Sequence, residues 1–112
     1  MPGKPLFDLE PLRQLSGGDE SFVKHMLEVF DKLVQETTEN FQSALEEKDW
    51  EKASKAAHKI KPSLDQLRIE SLQDTVREIE AFPKKDVADY DITAKINEMI
   101  HTLEKVTNQL KS

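Results

Sequence analysis

The chain contains no cysteine. Disulfides, thiolate metal sites and cysteine nucleophiles are therefore excluded, and a reducing compartment fits. Only three glycines and five prolines occur in 112 residues, most of them near the N-terminus or at suspected breaks. Long intervals are thus free of helix breakers, and no glycine-rich loop of the kind that cradles phosphates is present. No apolar run approaches the ~20 residues of a membrane span. The opening Met1-Pro2-Gly3-Lys4-Pro5 is not followed by a run long enough for a signal peptide. A soluble cytoplasmic protein with no membrane association is expected. Positive charge is also scarce, with 16 Lys and Arg against 22 Asp and Glu and a net charge of −6. Nucleic-acid binding draws on cationic contacts with phosphates, so no nucleic-acid partner is expected. Internal repeats and low-complexity tracts are absent.

What remains is helical periodicity. Phe7 to Leu15 is a short, weakly amphipathic stretch that ends at Ser16-Gly17-Gly18. Asp19 is a good N-cap, with Glu20 at the positive end of the helix that follows. Phe22, Met26, Val29, Phe30, Leu33, Val34, Thr37, Phe41, Ala44 and Leu45 then recur at threes and fours. That spacing predicts one helix over Glu20–Lys48, roughly 40 Å long. Asp49 caps the next helix, whose stripe is Trp50, Ala53, Ala57, Ile60, Leu64 and Leu67. Ile69, Leu72, Val76, Ile79 and Phe82 mark another, ended by Pro83, and a polar linker runs from Pro83 to Asp89. A last helix carries Ile92, Ile96, Met99, Ile100, Leu103, Val106 and Leu110. Strand-like alternation is missing. The expected fold is all-α: an antiparallel four-helix bundle with a short N-terminal helix, forming one domain over 1–112 with its core at about 6–110.

Three histidines are candidates for chemistry. At ~100° per residue, His25 falls about 110° from the centre of its apolar stripe, a rim position. His101 points away from its stripe. Glu98-x-x-His101 has the spacing of a bundle metal pair, but it lacks the second Glu-x-x-His such sites need and faces outward. No metal site is expected. His58 lies about 135° from its stripe, which presents it to water. Ser54, Lys55, Lys61, Pro62 and Asp65 are three, four or seven residues from it, and Lys52, Lys55, Lys59 and Lys61 place four cations within ten residues. The remaining Asp and Glu residues show no pairing that suggests acid–base chemistry, and they read as solvated faces. Ser54 and Ser63 read as fillers of the helix surface.

The run Ala56-Ala57-His58-Lys59-Ile60-Lys61-Pro62-Ser63-Leu64-Asp65-Gln66-Leu67 resembles the signature of histidine-containing phosphotransfer (HPt) domains. Ala57, His58, Ile60, Lys61, Ser63 and Leu67 fill its positions. Leu9-x-x-Leu12…Gly17-Gly18-Asp19 before the long helix, and Asp49-Trp50 before the His-bearing one, are also similar to the family. Two positions depart. The family usually has Gly four and ten residues after the His, where this chain has Pro62 and Arg68. Proline inside a helix costs about 3 kcal/mol, but the apolar stripe keeps its phase across residue 62, which favours one kinked helix over two.

The resemblance implies a four-helix phosphorelay intermediate. His58 Nε2 would attack an aspartyl phosphate on a receiver domain and later pass the group on. Lys61 would offset the roughly −1.5 to −2 charge of the phosphoryl group. Phosphoryl transfer rests mainly on positioning and charge, and an uncharged imidazole offers a free ring nitrogen. Partner binding falls to Ser54, Lys55, Lys59, Pro62 and Asp65. Response-regulator receiver domains and a hybrid sensor kinase are the implied partners. The chain would be a monomeric phosphocarrier without its own ATP site or cofactor, Mg²⁺ being supplied by the receiver. The alternative is a non-catalytic module of the same fold that binds receivers without transfer, a reading that Pro62 favours.

Overall fold

The computed structural model describes residues 6–84 and 92–111. Five α-helices and two short 3₁₀ turns account for nearly all of them, and no strand occurs among the described residues. The helices are α1 (Glu10–Ser16), α2 (Glu20–Glu47), α3 (Trp50–Gln66), α4 (Gln73–Ala81) and α5 (Ile92–Lys111).

The ends follow the local chemistry of the chain. Asp19 accepts hydrogen bonds from the backbone N–H groups of Ser21 and Phe22, and Asp49 accepts one from Lys52. Each satisfies donors that a helix start leaves free. α1 and α2 are each followed by a residue in the left-handed region, Gly17 (φ 65°) and Lys48 (φ 54°), and α3 is followed by Leu67 and then by the left-handed Arg68 (φ 51°). At the third of these, the Ile69 N–H bonds the Leu64 carbonyl and the Arg68 N–H bonds that of Asp65, a Schellman closure. Ile69 and Leu64 are both fully buried beside it. The position where the family that the sequence resembles usually has Gly has a positive φ here, and Arg68 adopts it at a cost Gly avoids.

α3 runs unbroken through Pro62, so the helix tolerates the lost hydrogen bond to the His58 carbonyl. The next helix begins later than its apolar spacing suggests. With the Ile69 N–H committed to closing α3, Glu70–Leu72 form a 3₁₀ turn and α4 starts at Gln73. Phe82–Lys84 form a second 3₁₀ turn, and the rest of the expected linker, to Asp89, lies outside the described residues.

One contiguous hydrophobic core joins the helices. α3 is central, packing against both α2 and α4, while α5 covers α2 and α4 and α1 lies on α2. Small Ala53, Ala56 and Ala57 let the neighbours approach α3 closely, and Ile60 and Leu64 fill the space beyond them. The stripe expected on α2 shifts in one respect: Val29 is 45% exposed, and Val23 is buried instead. Leu6, Phe7 and Leu9 pack on the core before α1 begins, tied by the Asp8 N–H to the Leu67 carbonyl at 2.7 Å.

Candidate phosphoacceptor site

Trp50, Ser54, His58 and Lys61 follow one another along α3 at spacings of four, four and three, so they share one side of the helix. That side faces α4. Trp50 meets Phe82 edge-on, with ring centroids 6.0 Å apart, and seals one end of the seam. The other three side chains converge on a single residue, Glu80, in the last turn of α4. Ser54 Oγ donates to the Glu80 main-chain carbonyl at 2.6 Å. Lys61 Nζ donates to Glu80 Oε1 at 2.6 Å, and His58 Nδ1 makes a close hydrogen bond with Glu80 Oε2.

The charges decide which way the His58 bond runs. Lys61, and after it His58, hold the Glu80 carboxyl below the usual carboxylate range, so the group is ionised at neutral pH. An ionised carboxylate only accepts, so Nδ1 must carry the proton. In the neutral ring the lone pair is then left on Nε2. The His58 side chain is 74% exposed while that of Glu80 is 25% exposed. A half-covered carboxylate therefore orients a ring that is largely open to solvent.

Glu80 was missed in the sequence, where it read as part of a solvated face. Its distance of 22 residues from His58 carries no local signal, and only the packing of α3 on α4 brings the two together. Ser54 is likewise not a surface filler, since its hydroxyl points into the seam. The four clustered lysines separate in space. Lys52 binds Glu47 and Ser43, Lys59 binds Glu36 on α2, and Lys61 binds Glu80. Lys55 has no ion-pair partner among the described residues. Lys55, Lys59, Pro62 and Asp65 are all exposed around the ring. His25 on α2 and His101 on α5 are exposed, and Glu98 accepts from Thr75 Oγ1. Among the described residues no cluster of three or more His, Asp or Glu could hold a metal ion. A groove of about 540 Å³ between α2 and α5 is lined by Leu27, Thr107 and Leu110 among others, and by none of the residues around His58.

No curated protein and no solved structure matches the chain. The Hpt domain family model matches residues 25–110, which span α2 to α5 and include His58, Lys61 and Glu80. Domains of this family are helical phosphocarriers of two-component signalling, soluble and engaged by receiver domains, and no described helix here is long and apolar enough to cross a membrane. With its helical fold and its matched span covering most of the sequence, the chain belongs to the Hpt domain family.

Proposed function

We propose that the chain is an active phosphorelay intermediate with His58 as its phosphoacceptor. Nε2 attacks the phosphorus of a receiver's aspartyl phosphate. The N–P bond forms as the P–O bond to the aspartate breaks, and the freed carboxylate leaves with the receiver. A second receiver aspartate reverses the exchange. The reading is carried by one observation: an outward-facing imidazole whose Nδ1 is occupied by Glu80, so that in the neutral ring the lone pair is on Nε2. Glu80 also disperses the positive charge that the ring gains on phosphorylation. Lys61 lies one turn from His58 and supplies the cation to offset the incoming negative charge.

Around this centre α2 to α5 are read as the antiparallel four-helix bundle of one domain over 1–112, a cytoplasmic monomer. Lys55, Lys59, Pro62, Asp65 and Ser54 border the face offered to receiver domains, including that of a hybrid kinase. Positive charge there suits the acidic phosphorylation pocket of a receiver, whose own Mg²⁺ would serve the transfer. No ATP site is needed on this chain.

The test is incubation with phosphorylated receivers. An acid-labile, alkali-stable label is expected on the wild type and none on His58→Gln, and label persisting in the variant would reassign the acceptor. The second reading, a module that binds receivers without transfer, draws on Pro62, which stands exposed one turn beyond His58. It requires binding without label in the wild type and recovery of transfer in Pro62→Gly.

A further inference from the structure

A serine in the middle of a helix ordinarily faces water or bonds back to its own helix. Ser54 does neither. Its hydroxyl crosses to α4 and donates to the main-chain carbonyl of Glu80, 26 residues away, at 2.6 Å. That carbonyl belongs to the last turn of α4, where helix carbonyls lack intrahelical donors. The chain leaves α4 through Phe82 and Pro83, and the Phe82 N–H goes to the Ile79 carbonyl. Pro83, three residues beyond Glu80, has no N–H with which to close a 3₁₀ turn. The donor missing at the end of α4 comes from α3 instead.

Resting on the reading of His58 as phosphoacceptor, we propose that Ser54 is a positioning residue that fixes the Glu80 carboxylate against His58 and Lys61 by tying the Glu80 main chain to α3. The geometry calls for such an anchor. One carboxylate must span two partners three residues apart on α3, with Oε1 on Lys61 at 2.6 Å and Oε2 on the imidazole. A glutamate has three side-chain torsions through which to drift, and hydrogen bonds weaken steeply once donor and acceptor separate or tilt. Tying the backbone of the same residue to α3 fixes the point from which those torsions start, so the carboxylate stays within reach of both partners. Ser54 stands one turn before His58 on the same side of α3, so the tie and the two bonds it protects form one continuous strip of the seam. A serine side chain is short enough to make the link only while α3 and α4 stay close, which couples the spacing of the helices to the orientation of the ring.

The test reads the tautomer of His58 in the unphosphorylated protein by ¹⁵N NMR of the ring nitrogens, with transfer from a phosphorylated receiver measured alongside. In the wild type the Nδ1–H form should dominate. Ser54→Ala, which keeps a good helix former, should move the ring toward the Nε2–H form and slow phosphoryl uptake several-fold. Glu80→Ala, which leaves no acceptor for Nδ1–H, marks the full loss, and Ser54→Thr, which retains the hydroxyl, should stay close to the wild type. A Ser54→Ala protein that is folded and keeps the wild-type tautomer overturns the proposal, and so does loss of that tautomer in a folded Ser54→Thr. If Ser54→Ala proves too unstable to measure, Ser54→Cys replaces it. A weak thiol donor of similar size should give an intermediate shift, and no shift overturns the proposal. Absence of transfer in the wild type would instead remove the phosphoacceptor reading, while the tautomer comparison would still judge Ser54.

Discussion

On one flank of α3, Lys59 reaches Glu36 of α2 at 2.8 Å, with side chains 58% and 56% exposed. On the other, Lys61 reaches Glu80 of α4 at 2.6 Å, with side chains 33% and 25% exposed. Both pairs join a lysine of the same helix to a glutamate of a neighbour, yet their surroundings differ. Water reaches more than half of the first pair's surface, and exposed pairs of that kind contribute about 0–1 kcal/mol. The second is half-covered, and its carboxylate also holds an imidazole. The two lysine–glutamate pairs thus differ in what else the carboxylate touches and in how much water reaches it, not in the two residue types.

The comparison can be broken outright by removing the spine that both flanks share. Leu64 is fully buried beneath them, and Leu64→Ala should destabilise the protein by about 2–5 kcal/mol in denaturant titration, with both pairs lost together on unfolding. Glu80→Gln is the sharper cut. It should slow phosphoryl uptake on the order of tenfold or more, whereas Glu36→Gln should leave uptake within about twofold; equal effects would erase the distinction between the flanks. The same variant has a pH signature. The Glu80 carboxyl sits below its ordinary value of 4.5 in the folded protein. Its stabilising contribution is therefore complete above that value and lost as pH falls through the lower, folded one. Wild type should melt above Glu80→Gln at pH 7, and the gap should close in acid below pH 4.5.

Smaller effects sharpen the picture further. Arg68→Gly relieves a positive φ at the end of α3 and should raise stability by about 0.5–1 kcal/mol, less what the long 3.7 Å contact with Asp8 contributes. A loss of stability would mean that this contact outweighs the backbone strain. Lys59→Ala should change stability by about 0.5 kcal/mol or less, and that change should fade with added salt.

Much of this was legible before any coordinates. Asp19 and Asp49 marked the helix starts they cap, and the spacing of Ile60, Leu64 and Leu67 identified the buried side of α3. The same phase that buried those residues placed His58 outside. The in-phase stripe across Pro62 also indicated a single helix there. Illegible were the late start of α4, because the Ile69 N–H is drawn back to Leu64, and the exposure of Val29, because a stripe defines a direction and not how far a neighbour covers its edge. The Gly position occupied by Arg68 became intelligible only when the backbone there proved left-handed.

The sequence by itself determined an all-helical fold class, the caps at Asp19 and Asp49 and an imidazole, His58, turned to water among lysines, since periodicity and capping act within a few residues. Only the tertiary structure decided that Ser54, His58 and Lys61 meet at Glu80. Which neighbour faces a given side of a helix depends on how whole helices pack, and that packing follows from burying every apolar stripe at once, so no local spacing encodes it.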